Sequence, residues 1–381
     1  MEVYWYVFYV DGQYPWHASK TRHVDRRYLK ALGATIDASG FHGALVATGA
    51  GGGWDPWVIS STLAAHTERM RFLIAVHPSL LSPTLLAKQA LTFDHLSGGR
   101  LDINIVNGHA GLSAAGVHLQ HDERYAHGAE YLEVYRRVIG GAPGPIDFKG
   151  EYLDIRGGQP VGKPIQSPYP PIWIGGSSDV AIDLAATHGD VYASWAEPLD
   201  KHAAHIAAFR SAAAKKGRKV QTAMTVHVVV RDTEEQAWAE VDTMLKYADQ
   251  NAVDALQRGL RAGQSVGQER ASSLHGGRLP KHARDLEIAP NVWAGYGLLR
   301  VGSSITLVGT PQQVAARLIE YHDIGVDKFI LSHHPLPEEA LRVADDLLPL
   351  LPLSPVDPQR EAAERTARTF NNQLNGVGVR T

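Results

Sequence analysis

Short apolar runs rich in β-branched and aromatic residues alternate with helical patterns along most of the 381-residue chain. Most of the runs are apolar nearly throughout, which is typical of strands that are covered on both faces of a sheet. Eight strand–helix units in this order predict an α/β fold, a closed (β/α)8 TIM barrel. The predicted strands are 3–9, 43–48, 71–77, 101–107, 171–175, 190–195, 222–231 and 328–332. The predicted helices are 22–39, 83–96, 123–139, 180–188, 200–216, 234–247, 311–324 and 338–348.

Two segments interrupt this alternation. Residues 140–162, which contain IDFKGEYLDIRG, predict a short antiparallel hairpin after the fourth helix. Residues 251–293 follow the seventh strand, are rich in Gly, Arg, Gln and His, and show no regular pattern. A long insertion without regular elements is usually functional, most often as a lid. We therefore predict one TIM-barrel domain over 1–352 with these two insertions, followed by a polar C-terminal extension over 353–381.

The composition limits the classes of protein to which the chain can belong. It is 44% apolar with a formal net charge of −3, which indicates neither nucleic acid nor an anionic membrane as a partner. The absence of cysteine excludes disulfides and thiolate sites, and the 19 histidines lack the HExxH and HxH spacings of metal sites. No apolar stretch approaches the roughly 18–20 residues of a membrane span, and the N-terminus reads as a strand rather than a signal peptide. We expect a cytoplasmic protein without a metal ion.

Polar and glycine-rich segments follow the predicted strands, at the end of a βα barrel where ligands bind. They are VATGAGGGWDPW after the second strand, VHPSLLSP after the third, NIVNGHAG at the fourth, GGSS after the fifth, SWAEP after the sixth, MTVHVVVR on the seventh and LSHHP at the eighth. Because these ends meet at one face of the barrel, the segments are expected to form one site.

The GGSS turn opens a helix directly after a buried strand. Free backbone N–H groups at a helix start, together with the hydroxyls of Ser177 and Ser178, suit a phosphate group. The alternative is a tight βα turn in which Ser178 only caps the helix. In HDERY, His121 and Tyr125 lie one helical turn apart and can both bond a phosphate or a ribityl chain, or can form a capping pair on the surface.

Five motifs in order resemble the bacterial luciferase-like flavin monooxygenases, and most closely the two-component, FMNH2-dependent alkanesulfonate monooxygenases. The motifs are LSGGR, NIVNG, HDERY, QxPYPPIWIGGSSDVA and NxWAGxGLxRxG. The similarity extends from about residue 3 to residue 352, and the insertions fall where the family has them.

The resemblance implies a TIM barrel that binds FMN as FMNH2, supplied by a separate NAD(P)H-dependent flavin reductase. In such enzymes the reduced flavin reacts with O2 to give a peroxyflavin, which attacks the sulfur of an organosulfonate and releases sulfite and an aldehyde. The protein positions the flavin, excludes water and binds the anion. The resemblance also implies a homodimer or homotetramer, with early barrel helices in the dimer contact.

The same resemblance assigns site residues. It implies that the residues that bind the cofactor are Ser177, Ser178, Tyr125, His121, Asn107, His77 and Thr48. It implies that the residues of the catalytic pocket are Trp195, His227, Arg300 and His334, of which His334 stands where the alkanesulfonate enzymes have a tyrosine.

Three departures leave the substrate open. Thr225 replaces an arginine two positions before His227, the pair His333–His334 replaces the tyrosine, and glycines 51–53 replace a cysteine. A protonated His334 could supply the missing cation, since the unperturbed pKa of histidine is about 6.5. The pocket is then either rebuilt around Arg300, His227 and His334, or the substrate is another organosulfur or neutral compound. An F420-dependent oxidoreductase of the same fold, or an inactive flavin-binding or light-emitting protein, are the further alternatives.

Overall fold

Eight parallel strands close into a barrel in the computed structural model, which describes residues 1–47, 53–108, 111–262 and 265–354. Each barrel strand pairs with the strands before and after it in the chain, and the first strand pairs with the last to close the ring. Trp5 of the first strand therefore lies opposite both Ala44 and Leu331. The predicted TIM barrel is therefore confirmed. The barrel strands are β1 (Glu2–Val7), β2 (Gly43–Val46), β3 (Arg71–Val76), β4 (Leu101–Ile105), β5 (Ile172–Gly175), β6 (Val191–Trp195), β7 (Gln221–Val230) and β8 (Lys328–Ser332).

Helices cover the outside of the barrel and begin at clear local signals. The side chains of Asp25, Ser82 and Thr310 each accept a hydrogen bond from a backbone N–H of the first helical turn that follows them. Within the described ranges, no helix is both long and apolar enough to cross a bilayer. The helices are α1 (Arg26–Ala38), α2 (Pro56–Ala64), α3 (Pro83–Ser97), α4 (His121–Ile139), α5 (Asp179–His188), α6 (Leu199–Lys215), α7 (Glu234–Lys246), α8 (Gln250–Ala262), α9 (Val266–Ser273), α10 (Pro311–Asp323) and α11 (Leu336–Arg342).

The two predicted insertions have different outcomes. The hairpin is present, with Ile146–Lys149 antiparallel to Asp154–Gly158. The prediction that residues 251–293 lack regular elements is wrong, because helices α8 and α9 lie in this region. The proposed C-terminal extension falls almost entirely outside the described residues, so its boundary stays a prediction.

Strand β7 is ten residues long and extends beyond the barrel. Its first part pairs with β6 and β8, and from His227 onward it also pairs with the additional strand Thr306–Gly309. That additional strand pairs in turn with Val292–Trp293. The end of the insertion is thereby joined to the barrel at the level of His227. The chain between Val292–Trp293 and Thr306–Gly309 reaches the carboxyl ends of the barrel strands.

Candidate active site

A cavity of about 580 Å3 lies at the carboxyl ends of the barrel strands. Residues of the strand ends form its walls, and residues of α4, of α9 and of the segment before strand Thr306–Gly309 complete it. Its described lining contains the two arginines Arg124 and Arg300 and no aspartate or glutamate. The cavity is therefore suited to anionic ligands. The predicted site residues among the lining are Asn107, His121, Tyr125, Ser177, Ser178, Trp195, His227 and Arg300.

The GGSS turn is held in a conformation that depends on glycine. Gly176 has a φ of +137°, and a Cβ there would lie 2.6 Å from the Cβ of Ala181. The Ser178 hydroxyl accepts from the backbone N–H of Ala181 and caps α5, as the alternative interpretation predicts. The Tyr125 hydroxyl also bonds Ser178, which partly offsets the rise in the pKa of Tyr125 caused by burial. Ser177 also lines the cavity.

Arg124 is a site residue that the sequence analysis missed. It precedes Tyr125 on the first turns of α4, lines the cavity and is only 8% exposed. Its Nε is buried without a hydrogen-bond partner, and no carboxylate of the described chain forms an ion pair with it. A buried guanidinium is costly unless an anion compensates it. The side chain therefore indicates an anion-binding position beside the GGSS turn. Its place in HDERY was the available signal.

His121 borders the same region from the start of α4. Its Nδ1 lies 2.6 Å from the Asp122 carboxylate, and its ring centroid lies 5.1 Å from that of Tyr125. The predicted pair of His121 and Tyr125 thus exists, with the phenol more deeply buried than the imidazole.

Asn107 lies just beyond β4 and is among the residues that line the cavity. It is buried, and neither of its side-chain amide atoms has a hydrogen-bond partner among the described residues. Helix α4 passes so closely that a Cβ on Gly128 would lie 2.6 Å from Asn107 Oδ1. A buried amide that can both donate and accept fits the polar edge of a heterocycle. The other two residues expected near such a ring differ: His77 is buried at the end of β3 but does not line the cavity, and Thr48 lies outside the described residues.

His227 is held by neighbours on two sides. Its Nδ1 lies 2.6 Å from the Ser332 hydroxyl, and its ring stacks on Tyr296 with a centroid separation of 3.6 Å. Burial, together with the nearby Arg300 charge, lowers the pKa of His227 well below its ordinary value. The residue is therefore a neutral hydrogen-bonding group at physiological pH. Thr225 lines the cavity on the same strand.

Arg300 and His334 form a connected pair. Arg300 Nη1 lies 2.6 Å from His334 Nε2, and His334 Nδ1 lies 2.9 Å from Asp11 Oδ1. Burial lowers the pKa of His334 to about 4, even though the bond to Asp11 acts in the opposite direction. The suggestion that His334 supplies a cation is thus corrected: it is neutral, it does not line the cavity, and it holds Arg300 from behind. Arg300 also lies over the Phe8 ring at 4.1 Å from its centroid.

Helix α9 covers the cavity above Trp195 and Ser177. A Cβ on Gly267 would lie 3.3 Å from Ser177 Oγ and 3.5 Å from the Trp195 ring. The helix is capped by Ser265, whose hydroxyl accepts from the backbone N–H of Gln268. The first turns of α5 and α9 therefore both begin beside Ser177, which adds two positive helix ends to one side of the cavity.

The comparison with known families agrees with this arrangement. Residues 1–328 match the family described as luciferase-like monooxygenase. The chain belongs to that family. The match begins at β1, covers both insertions and seven of the eight barrel strands, and ends at the first residue of β8. The cavity of this luciferase-like chain lies at the carboxyl ends of those strands.

Solved structures similar to this luciferase-like chain show the same fold. A riboflavin lyase (RcaE), solved with modified FMN and the substrate riboflavin, has a TM-score of 0.75 at 20% identity, with 96% of each chain covered. A long-chain alkane monooxygenase (LadA) has a TM-score of 0.75 at 19% identity, covering 97% of this chain and 99% of that one. An F420-dependent secondary alcohol dehydrogenase, solved with an F420–acetone adduct, has a TM-score of 0.64 at 14% identity, covering 92% and 98%. The fold alone therefore accommodates different cofactors and substrates.

Proposed function

We propose that this luciferase-like protein is an FMNH2-dependent monooxygenase that uses O2 to cleave an organosulfonate into sulfite and an aldehyde. The observation that carries the proposal is the pair of arginines in a cavity whose described lining has no carboxylate. Arg124 precedes Tyr125, whose hydroxyl bonds Ser178 in the turn after β5, whereas Arg300 contacts Phe8, just after β1. Because β1 and β5 are four places apart in a ring of eight strands, the two charges lie on opposite walls. Such a cavity suits two anions, one at each wall.

The residues present fit FMN. Arg124, Ser177 and the first turn of α5 would hold its phosphate, and the unpartnered amide of Asn107 would bond the edge of its ring. Reduced FMN, when bound, supplies the electrons that activate O2. The protein contributes the position of the flavin and a site from which α9 and Trp195 exclude water.

Arg300 would bind the sulfonate. A guanidinium offers two parallel donors to an oxyanion, and each charge-assisted hydrogen bond contributes about 1.5–3 kcal/mol. His334 and Asp11 hold the guanidinium in place without neutralising it directly, since the imidazole stands between the two charges. The neutral His227 on β7 adds a hydrogen-bonding group to the wall of the cavity. With Thr225 in place of a second cation, the preferred substrate carries a single negative charge.

We also propose that a separate NAD(P)H-dependent reductase supplies the reduced flavin and that the protein forms a homodimer or homotetramer. Three apolar side chains are exposed on or beside the early helices: Trp54 just before α2, Val58 on α2 and Leu85 on α3. The exposed fraction of Val58 is 67%. Light scattering on the wild type and on Val58→Glu tests this proposal. We expect the charged variant to shift towards the monomer, and a monomeric wild type would contradict self-association.

Sulfite release tests the proposed reaction. The protein is supplied with FMN, NADH and a flavin reductase in air, and sulfite and aldehyde are measured for methanesulfonate, longer alkanesulfonates and a sulfosugar. We expect equal amounts of the two products from at least one sulfonate, and none when O2 is removed or when the corresponding neutral alkanol replaces the sulfonate.

The same preparation distinguishes the alternatives. Oxygenation of a neutral sulfide or ketone without sulfite from any sulfonate would overturn the substrate class but retain the monooxygenase. Reduction of F420 by a secondary alcohol, together with weak FMN binding, would overturn the cofactor.

A further inference from the structure

A chain of hydrogen bonds runs behind the GGSS turn. The Tyr192 hydroxyl donates to the carbonyl oxygen of Gly176 at 2.6 Å and lies 2.7 Å from His205 Nε2. His205 Nδ1 lies 2.9 Å from Glu197 Oε2, and Arg270 on α9 reaches Glu197 Oε1 at 3.4 Å. The chain therefore connects the turn beside Arg124 with the helix that covers it.

The hydrogen bonds fix the orientation of the Tyr192 hydroxyl. This hydroxyl has one proton, and the Gly176 carbonyl can only accept it. The His205 ring lies at hydrogen-bond distance from the Tyr192 oxygen on one side and from the Glu197 carboxylate on the other. His205 therefore holds the phenol in the position from which it bonds the turn.

We propose that His205 is a positioning residue that orients the phosphate-binding turn through Tyr192. The inference rests on the proposed binding of FMN at this turn. Without the Tyr192 hydroxyl, the Gly176 carbonyl loses its hydrogen bond, and the backbone of Gly176 and Ser177 loses its fixed orientation towards the phosphate. FMN affinity should therefore fall when the hydroxyl, or the His205 ring that holds it, is removed.

Charged and buried polar groups surround His205 and keep its partners in place. Glu197 precedes α6, and its pKa is lowered: burial raises it, but the hydrogen bond and charge of His205 and the charge of Arg270 outweigh that effect. His202 on α6 is kept neutral, since burial and the His205 charge lower its pKa to about 4. Tyr321 on α10 donates to the backbone oxygen of Glu197 and leaves the carboxylate to His205 and Arg270.

Binding of oxidised FMN and of riboflavin, measured by quenching of flavin fluorescence, tests the inference. Riboflavin lacks the phosphate, so it reports the ring site alone. For the wild type we expect FMN to bind more tightly than riboflavin. In Tyr192→Phe and in His205→Phe, FMN should bind about three- to tenfold more weakly, with riboflavin unchanged. Tyr135→Phe is the matched control, because Tyr135 is buried and its hydroxyl has no partner among the described residues.

Two results would overturn the inference in distinguishable ways. Wild-type preference for FMN over riboflavin that is unchanged in Tyr192→Phe would leave the proposed cofactor site intact and remove the role of His205. Equal binding of FMN and riboflavin by the wild type would remove the phosphate site itself, and with it both the inference and the proposed cofactor geometry.

Discussion

Arg300 donates a hydrogen bond to the neutral imidazole of His334, with 2.6 Å between Nη1 and Nε2. The opposite nitrogen of His334 bonds Asp11, which also accepts from the backbone N–H of Leu336 and from the Tyr28 hydroxyl. The guanidinium is thus fixed by a group that carries no charge, and the nearest carboxylate in this chain of bonds lies behind the imidazole. Arg300 keeps its positive charge for a ligand in the cavity.

Replacing Arg300 should weaken sulfonate binding selectively. Arg300→Met removes the charge and the donors, so KM for the sulfonate should rise about 10- to 100-fold, while Arg300→Lys should give an intermediate value. Steady-state sulfite release at saturating reduced flavin measures the effect. Arg137→Met on the exposed face of α4 is the control, since Arg137 forms an ion pair with Glu133 and is not among the residues that line the cavity. An unchanged KM in Arg300→Met would exclude the arginine from substrate binding.

The pH dependence of KM separates the role of His334 from that of a cation. Because burial lowers the pKa of His334 to about 4, the residue is neutral throughout the range from about pH 6 to 8, and KM for the sulfonate should be constant there at saturating flavin. His334→Ala should raise KM several-fold without changing FMN affinity, because Arg300 loses its support. A KM that rises tenfold per pH unit near neutrality would show that a protonated histidine binds the anion.

Arg124 should raise the affinity for FMN and lower the stability of the flavin-free protein. Arg124→Met removes a buried guanidinium whose Nε has no hydrogen-bond partner among the described residues, so the flavin-free protein should unfold at a higher temperature. The same change should weaken FMN binding about 10- to 100-fold and leave riboflavin binding unchanged. Thermal unfolding and fluorescence titration measure the two effects. Equal weakening of both flavins would point instead to a general distortion of the site.

His202 should contribute to acid sensitivity. Both of its ring nitrogens are buried without a partner among the described residues, and burial lowers its pKa to about 4. The unfolded chain then binds a proton near pH 6.5 that the folded chain refuses, so stability falls as the pH drops from about 6.5 to 4, by on the order of 2–3 kcal/mol for one such group. His202→Phe should reduce that loss in urea unfolding at about pH 5 relative to pH 8. The exposed His23→Phe serves as the control, and parallel pH curves for His202→Phe and the wild type would contradict the prediction.

The barrel could be predicted from the sequence because its strands are buried on both faces and therefore appear as continuous apolar runs. Helices α8 and α9 could not be predicted in the same way. In α8, Val253, Leu256 and Leu260 recur at helical spacing, but polar residues and Gly259 separate them, and α9 has only eight residues. Tertiary contacts, more than local propensity, hold such short elements.

The site residues that could be predicted from the sequence are those that lie in local motifs. Local motifs placed Ser177, Tyr125 and Asn107 at strand and helix ends, and the fold brings them to one cavity. Arg124 was missed because a charged residue at a helix start normally faces solvent, and only its burial shows otherwise. The role of His334 depends on Asp11, which is 323 residues distant in the chain, so no local pattern could reveal a neutral imidazole there.

Gly267 brings the first turn of α9 within contact distance of Ser177 and Trp195. Under the proposed function, reduced flavin enters and oxidised flavin leaves past this short helix in every cycle. The eight residues of α9, which cover the cavity, would then also control the entry and exit of the flavin. We therefore expect the rate at which oxidised flavin is exchanged for reduced flavin to depend on the opening of α9, while the barrel strands beneath it stay rigid.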